Sequence, residues 1–148
     1  MSAPRLPLGV LIVEDSDEDH DTVLEALSGT ELAVRTWRAE NGEECLKLLR
    51  GEDEARAVRP AVVLLDLNTH GLDGRATLRS IKDDPVLKSL PTIVFTTSSN
   101  PHDLDLCFEL GANAFHVKPF DYLEHLDLLR AVLDYWLRRV ALPDGLTL

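Results

Sequence analysis

No stretch of this sequence approaches the ~20 consecutive apolar residues that a membrane-spanning helix needs. Basic residues are scarce as well: 15 Lys and Arg stand against 26 Asp and Glu, a net charge of −11. Contacts to a phosphate backbone need Lys and Arg, so a nucleic-acid surface is not expected. Cysteine is nearly missing. Cys45 and Cys107 show no CxxC or Cys/His metal spacing, and each reads as a small buried thiol in a helix. A signal peptide is lacking too, because MSAPRLPLGVLIVED turns acidic too soon, and the expected location is the cytoplasm. There is no internal repeat and no low-complexity tract. The 148 residues suit one domain with a real core.

What remains is an alternation of two periods. Apolar runs or period-2 patterns predict strands at 8–13, 32–39, 61–65, 92–95 and 114–117. Between and after them, three- and four-residue apolar spacing predicts helices at about 19–27, 42–49, 75–82, 100–110 and 121–140. Asn100-Pro101 reads as an N-cap followed by proline at the first helical position. Five strands alternating with five helices predict a parallel sheet covered on both faces. Right-handed crossovers narrow this to a flavodoxin-like (βα)5 doubly wound sheet with strand order 2-1-3-4-5 and an extended C-terminal helix.

Such a sheet binds ligands beyond the carboxyl ends of its strands. Those ends carry Glu14-Asp15, Asp66, Thr96-Thr97-Ser98 and Lys118-Pro119. Three converging carboxylates repel one another unless a cation joins them, and a hard divalent ion such as Mg²⁺ is the natural compensation. The set then reads as a phosphoryl acceptor. Asp66 is the carboxylate nucleophile. Asp15, Asp66 and the backbone carbonyl of Asn68 are candidate Mg²⁺ ligands, while Lys118 and the Thr96 hydroxyl would hold phosphoryl oxygens.

These residues resemble those of the receiver domains of two-component response regulators, from the VEDS at Val13 to the VKPF ending at Phe120. The resemblance covers the acid pair Glu14 and Asp15, the acceptor Asp66, the switch hydroxyl Thr96, Lys118-Pro119, and Asp73-Gly74 opening the third helix. It implies an aspartyl phosphate at Asp66, one Mg²⁺ and a histidine kinase as donor. It adds Glu14 to the metal set, acting through water, and places Phe115 at an aromatic switch position coupled to Thr96. In that family the bond before Pro119 is often cis. His70 stands where a proline is frequent.

The last predicted helix places Leu123, Leu126, Leu129, Leu133 and Trp136 on one stripe toward the sheet, with Leu128, Val132 and Tyr135 beside it. Those flanking residues and Trp136 are either a wider core face or part of a homodimer interface with the last helix and the tail at 141–148. YWLRRVALP, DLNTHGLDG and SLPTIVFTTSSN resemble the single-domain regulators of bacterial and cyanobacterial phytochrome kinases. On this reading the chain is one receiver domain over 1–148, with a core at about 8–140, no output domain, and no turnover of an external substrate. The rival expectations are a haloacid dehalogenase-type phosphohydrolase and a receiver-like binding module that is never phosphorylated. The five histidines, His20, His70, His102, His116 and His125, lack paired metal spacing and read as surface or loop residues.

Overall fold

The computed structural model describes residues 8–52, 57–71 and 73–143. Strands and helices alternate as β1 (Leu8–Val13), α1 (Asp17–Ser28), β2 (Val34–Ala39), α2 (Gly42–Arg50), β3 (Val62–Asp66), α3 (Gly74–Asp83), β4 (Thr92–Thr96), α4 (Pro101–Leu110), β5 (Ala114–Val117) and α5 (Tyr122–Asp134). All strand pairs are parallel, in the order β2-β1-β3-β4-β5. This is the expected doubly wound topology.

The apolar runs explain the layering. Every residue of β3 and β4 is buried, as two-sided cover requires, while β2 and β5 are edges and only half-buried. Alternate strand residues feed two cores. Leu11, Val13, Val63, Leu65 and Val94 pack with Cys45, Leu49, Leu78, Ile81 and Cys107 from α2, α3 and α4. Val10, Ile12, Leu64 and Phe95 pack with Val23, Leu27, Leu129 and Leu133 from α1 and α5. Both cysteines are free and buried, and burial pushes the Cys45 thiol up to about 12.

Helix starts follow the local chemistry. Ser16, Asn41, Asp73, Asn100 and Asp121 each cap a helix with a side-chain oxygen, satisfying N–H groups that have no partner within the helix. Pro101 sits in the first turn of α4, as its missing N–H allows. Gly74 is required by crowding: a Cβ there would lie 2.5 Å from Leu67 Cα and 2.8 Å from the Asp66 carbonyl oxygen. The glycine lets α3 start directly beneath the end of β3.

Two details of the last helix differ from expectation. It does not continue as one α-helix, but turns at Tyr135–Arg139 into a π-helical turn that ends at Val140. Leu123 does not face the sheet; it is in the first turn of α5 and exposed, whereas Leu126, Leu129 and Leu133 are buried. A three-four spacing begun one turn too early overruns the edge of the sheet. Tail residues 144–148 lie outside the described residues.

Candidate functional site

The sheet register assembles the site in steps. Val13 pairs with Leu65, Asp66 with Phe95, and Thr96 with Val117. Strand alternation then sorts the side chains. Asp66 follows Leu64 by two residues and Glu14 follows Ile12, so both point to the α1/α5 side. Thr96 follows Val94 by two and points to the α3/α4 side, which is also the side of Phe115.

On the α1/α5 side one ammonium serves three carboxylates. Lys118 is only 9% exposed, and its Nζ donates to Glu14 Oε1 at 2.5 Å, Asp19 Oδ2 at 2.8 Å and Asp66 Oδ2 at 3.3 Å. Burial alone would favour the neutral amine, but the charges of Asp66 and Glu14 and the hydrogen bonds hold the ammonium above its ordinary range. Burial is also the largest influence on Glu14, pushing its carboxyl up to about 7; Lys118 opposes this and Asp66 adds to it. The Lys118 shift reflects its acidic neighbours, and the Glu14 shift reflects burial first.

Glu14, Asp15 and Asp66 each offer a carboxylate oxygen, and these oxygens all lie within 4.8 Å of one another. Three hard oxygen donors, incompletely neutralised by Lys118, fit a hard divalent cation. His70, exposed, approaches Asp15 with Nε2 at 3.3 Å.

The α3/α4 side is organised by hydrogen bonds. Thr96 is fully buried, and its Oγ1 accepts from Asn68 Nδ2 and from the Ser98 backbone N–H, each at 3.1 Å. Asn68 N–H in turn donates to Asp66 Oδ1 at 3.1 Å. Ser98 Oγ donates to Asp103 Oδ2 at 2.7 Å, and Asp103 Oδ1 accepts from Arg75 Nε at 3.0 Å and Nη2 at 2.6 Å. These bonds, Ser98 first and Arg75 next, hold the Asp103 carboxyl below the usual carboxylate range. Phe115 is half-buried against the same core.

A family profile for the response regulator receiver domain matches residues 10–130. This chain belongs to that family. It is 33% identical over 138 residues to the response regulator Rcp1 of Synechocystis, covering 93% of this chain and 94% of Rcp1. The Mn²⁺-bound structure of Rcp1 superposes with a TM-score of 0.89, covering 93% of this chain and 99% of that one. The phosphorylated cyanobacterial phytochrome response regulator RcpA gives a TM-score of 0.90 at 31% identity, covering 94% and 100% of the two chains. The bacteriophytochrome response regulator AtBRR is 34% identical, with a TM-score of 0.67 and coverage of 87% and 95%. The chain is thus a receiver of the two-component type, and its relatives include regulators of phytochrome systems.

Within this receiver the sequence-selected residues come together as two groups, Glu14, Asp15, Asp66 and Lys118 on one side and Asn68, Thr96 and Phe115 on the other. The peptide bond before Pro119 is trans. Asn68 is exposed, and one N–H of its side-chain amide donates to Thr96. Of the four residues marked for an interface, Val132 is core, Leu128 and Trp136 are half-buried against that core, and Tyr135 is exposed. Val132 is therefore unavailable for an interface, because α5 packs it against α1 and the sheet. No helix among the described residues is long and apolar enough to cross a membrane.

Four participants were not singled out from the sequence. Asp19 looked like one more acid in the first turn of α1. Asp103 with Arg75 joins two helices 28 residues apart in sequence, beyond any local pattern. His125 read as a surface residue, yet it is buried on α5 facing the ionic side. Its spacing on the stripe, one residue before Leu126 and four before Leu129, was the available signal.

Proposed function

We propose that this receiver accepts a phosphoryl group on Asp66 from a histidine kinase, in a reaction that requires one Mg²⁺. The observation that carries this reading is the cluster of three carboxylate oxygens within 4.8 Å beside a buried lysine at the carboxyl edge of the sheet. Asp66 attacks the phosphorus of the donor, an O–P bond forms, and the P–N bond to the donor imidazole breaks. Lys118 holds a phosphoryl oxygen as a point charge, and the Thr96 hydroxyl, its lone pairs already occupied, has its O–H free to donate to another. Mg²⁺, held by Asp15, Asp66 and the Asn68 carbonyl, with Glu14 acting through water, would neutralise charge on the phosphoryl oxygens. Positioning and charge stabilisation suffice for this transfer, so no general base is required.

The named relatives support a phytochrome-type kinase as the donor. Partner docking is favoured at α4, β5 and the start of α5, where Phe108, Val117, Phe120 and Leu123 are exposed. A second copy of the chain would occupy this face on phosphorylation, as Thr96 is drawn to the phosphate and Phe115 follows it inward. The whole chain acts as one receiver unit in the cytoplasm. A haloacid dehalogenase-type hydrolase is disfavoured by Asn68: an amide that donates to Thr96 cannot serve as the general acid.

Intact-protein mass spectrometry after incubation with acetyl phosphate tests the reading. One phosphoryl group per chain is expected, dependent on Mg²⁺ and absent in Asp66→Asn. No adduct, together with no beryllofluoride binding, would make the chain a constitutive binding module. Steady turnover of an external phosphate ester would make it a phosphohydrolase.

A further inference from the structure

Asp19 lies outside the three-carboxylate cluster yet makes the second-shortest contact to Lys118. Its position is fixed by the start of α1. Its backbone N–H donates to the N-cap Ser16 Oγ at 3.2 Å, and the Ser16 backbone N–H donates to Glu14 Oε2 at 3.2 Å. One helix terminus therefore sets both carboxylates around the ammonium. The rest of the surroundings offer Lys118 little else. A cavity of about 20 Å³ is bordered by Lys118 and its three carboxylates and otherwise by Ile12, Val13, Val23, Leu64, Phe95, His125 and Leu129, with room for about one water, not for another anion.

A lysine is a point charge on a flexible four-carbon stem, and fixing it has an entropic cost. When a divalent cation takes Asp66 directly and Glu14 through water, two of the three anchors of Nζ are weakened together. Asp19 is the anchor that the cation does not claim. We propose that Asp19 is a positioning residue for Lys118, holding one ammonium proton on the α1 side so that the others remain beside Asp66 for the incoming phosphoryl group. This inference rests on the phosphoacceptor reading of Asp66, but its first test does not.

The Lys118 ammonium can be followed by ¹⁵N–¹H NMR of the full chain labelled in lysine, in saturating Mg²⁺, where the Glu14 and Asp66 anchors are weakened. Wild type should show a protected ammonium signal; Asp19→Ala should lose it, and Asp19→Asn, which keeps an acceptor oxygen, should retain it weakened. In saturating Mg²⁺, Asp19→Ala should be phosphorylated by acetyl phosphate about tenfold more slowly, as befits one lost charge-assisted bond, with Mg²⁺ affinity within about twofold of wild type. A folded Asp19→Ala protein with an unchanged ammonium signal overturns the proposal. So does a variant with lowered Tm but wild-type phosphorylation rate, which would make Asp19 a stabiliser of α1 alone. If the wild type itself takes no phosphoryl group, the function assigned to Asp66 fails, and the ammonium signal still decides the role of Asp19.

Discussion

At the carboxyl edge of the sheet, the α1/α5 side and the α3/α4 side hold polar groups in different ways. On the first, Glu14, Asp19 and Asp66 surround one ammonium, with Asp15 beside them, and charge is left over. On the second, Asn68, Thr96, Ser98, Asp103 and Arg75 form a chain in which donors meet acceptors, closed by one ion pair. A frustrated charge cluster responds to a cation or a phosphoryl group, because either ligand removes part of the excess. A hydrogen-bond chain carries no such excess of charge, but its open donor, the Thr96 O–H, can be drawn to a new acceptor. The first side is suited to receive a signal and the second to transmit it.

The largest effect that should separate the sides is removal of the shared ammonium. Lys118→Met leaves two buried carboxylates without their counter-ion, and folding stability should fall by about 3 kcal/mol in the absence of divalent ions. Mg²⁺ should then stabilise the variant more than the wild type, since the cation meets a less neutralised site. Urea unfolding with and without Mg²⁺ measures both. A metal-free variant as stable as wild type would show that the charges around Lys118 are already relieved by solvent, and the contrast between the sides would dissolve.

A smaller effect is expected across the sheet. Asp103→Asn keeps the shape but loses the ion pair to Arg75, whose side chains are 15% and 25% exposed. The expected cost is about 1 kcal/mol. Mg²⁺ affinity should not change, while hydrogen exchange at the first amides of α4 should quicken. If Mg²⁺ binding weakened instead, the two sides would be one electrostatic unit.

How much of this was legible in the sequence follows from the same physics. β1, β3 and β4 announce themselves because a strand buried on both faces must be apolar throughout, and the site residues announce themselves as the polar exceptions at the strand ends. Asp66, Thr96 and Lys118 could be placed on one edge from strand order alone. Which side of the sheet each faces was not stated, although the count of residues from the buried run settles it. Asp19 and His125 were missed for a different reason. Each sits on a helix whose rotation is set by packing, and a step of one residue, about 100° of rotation, separates a surface position from a site position. Leu123 was placed inside for another reason, a stripe extended past the edge of the sheet. Arg75 with Asp103 required knowing that α3 and α4 are neighbours, a tertiary fact.

The smallest effect is set by pH, and it should fall on the ionic side alone. His116 stacks on Phe95 with ring centroids 5.1 Å apart, and burial holds its imidazole below the ordinary value of 6.5. His125 is lowered too, with burial as the first cause. When pH falls below the unfolded value, the unfolded chain takes up protons that the folded chain resists, so this stability is present above 6.5 and is lost as pH falls toward the folded value. Asp103 is depressed as an acid from 3.8, so its contribution is complete throughout this range and is lost only at still lower pH. Glu14 runs the other way: raised to about 7, it favours the folded state increasingly as pH falls through that value. A comparison of wild type with His116→Leu cancels the Glu14 contribution and isolates the imidazole. Urea midpoints measured at about pH 7 and about pH 5.5 should show a smaller acid-induced loss in the variant. Equal losses in the two proteins would mean that His116 takes up its proton in place, and that the α1/α5 side is more open to water than its packing against Phe95 implies.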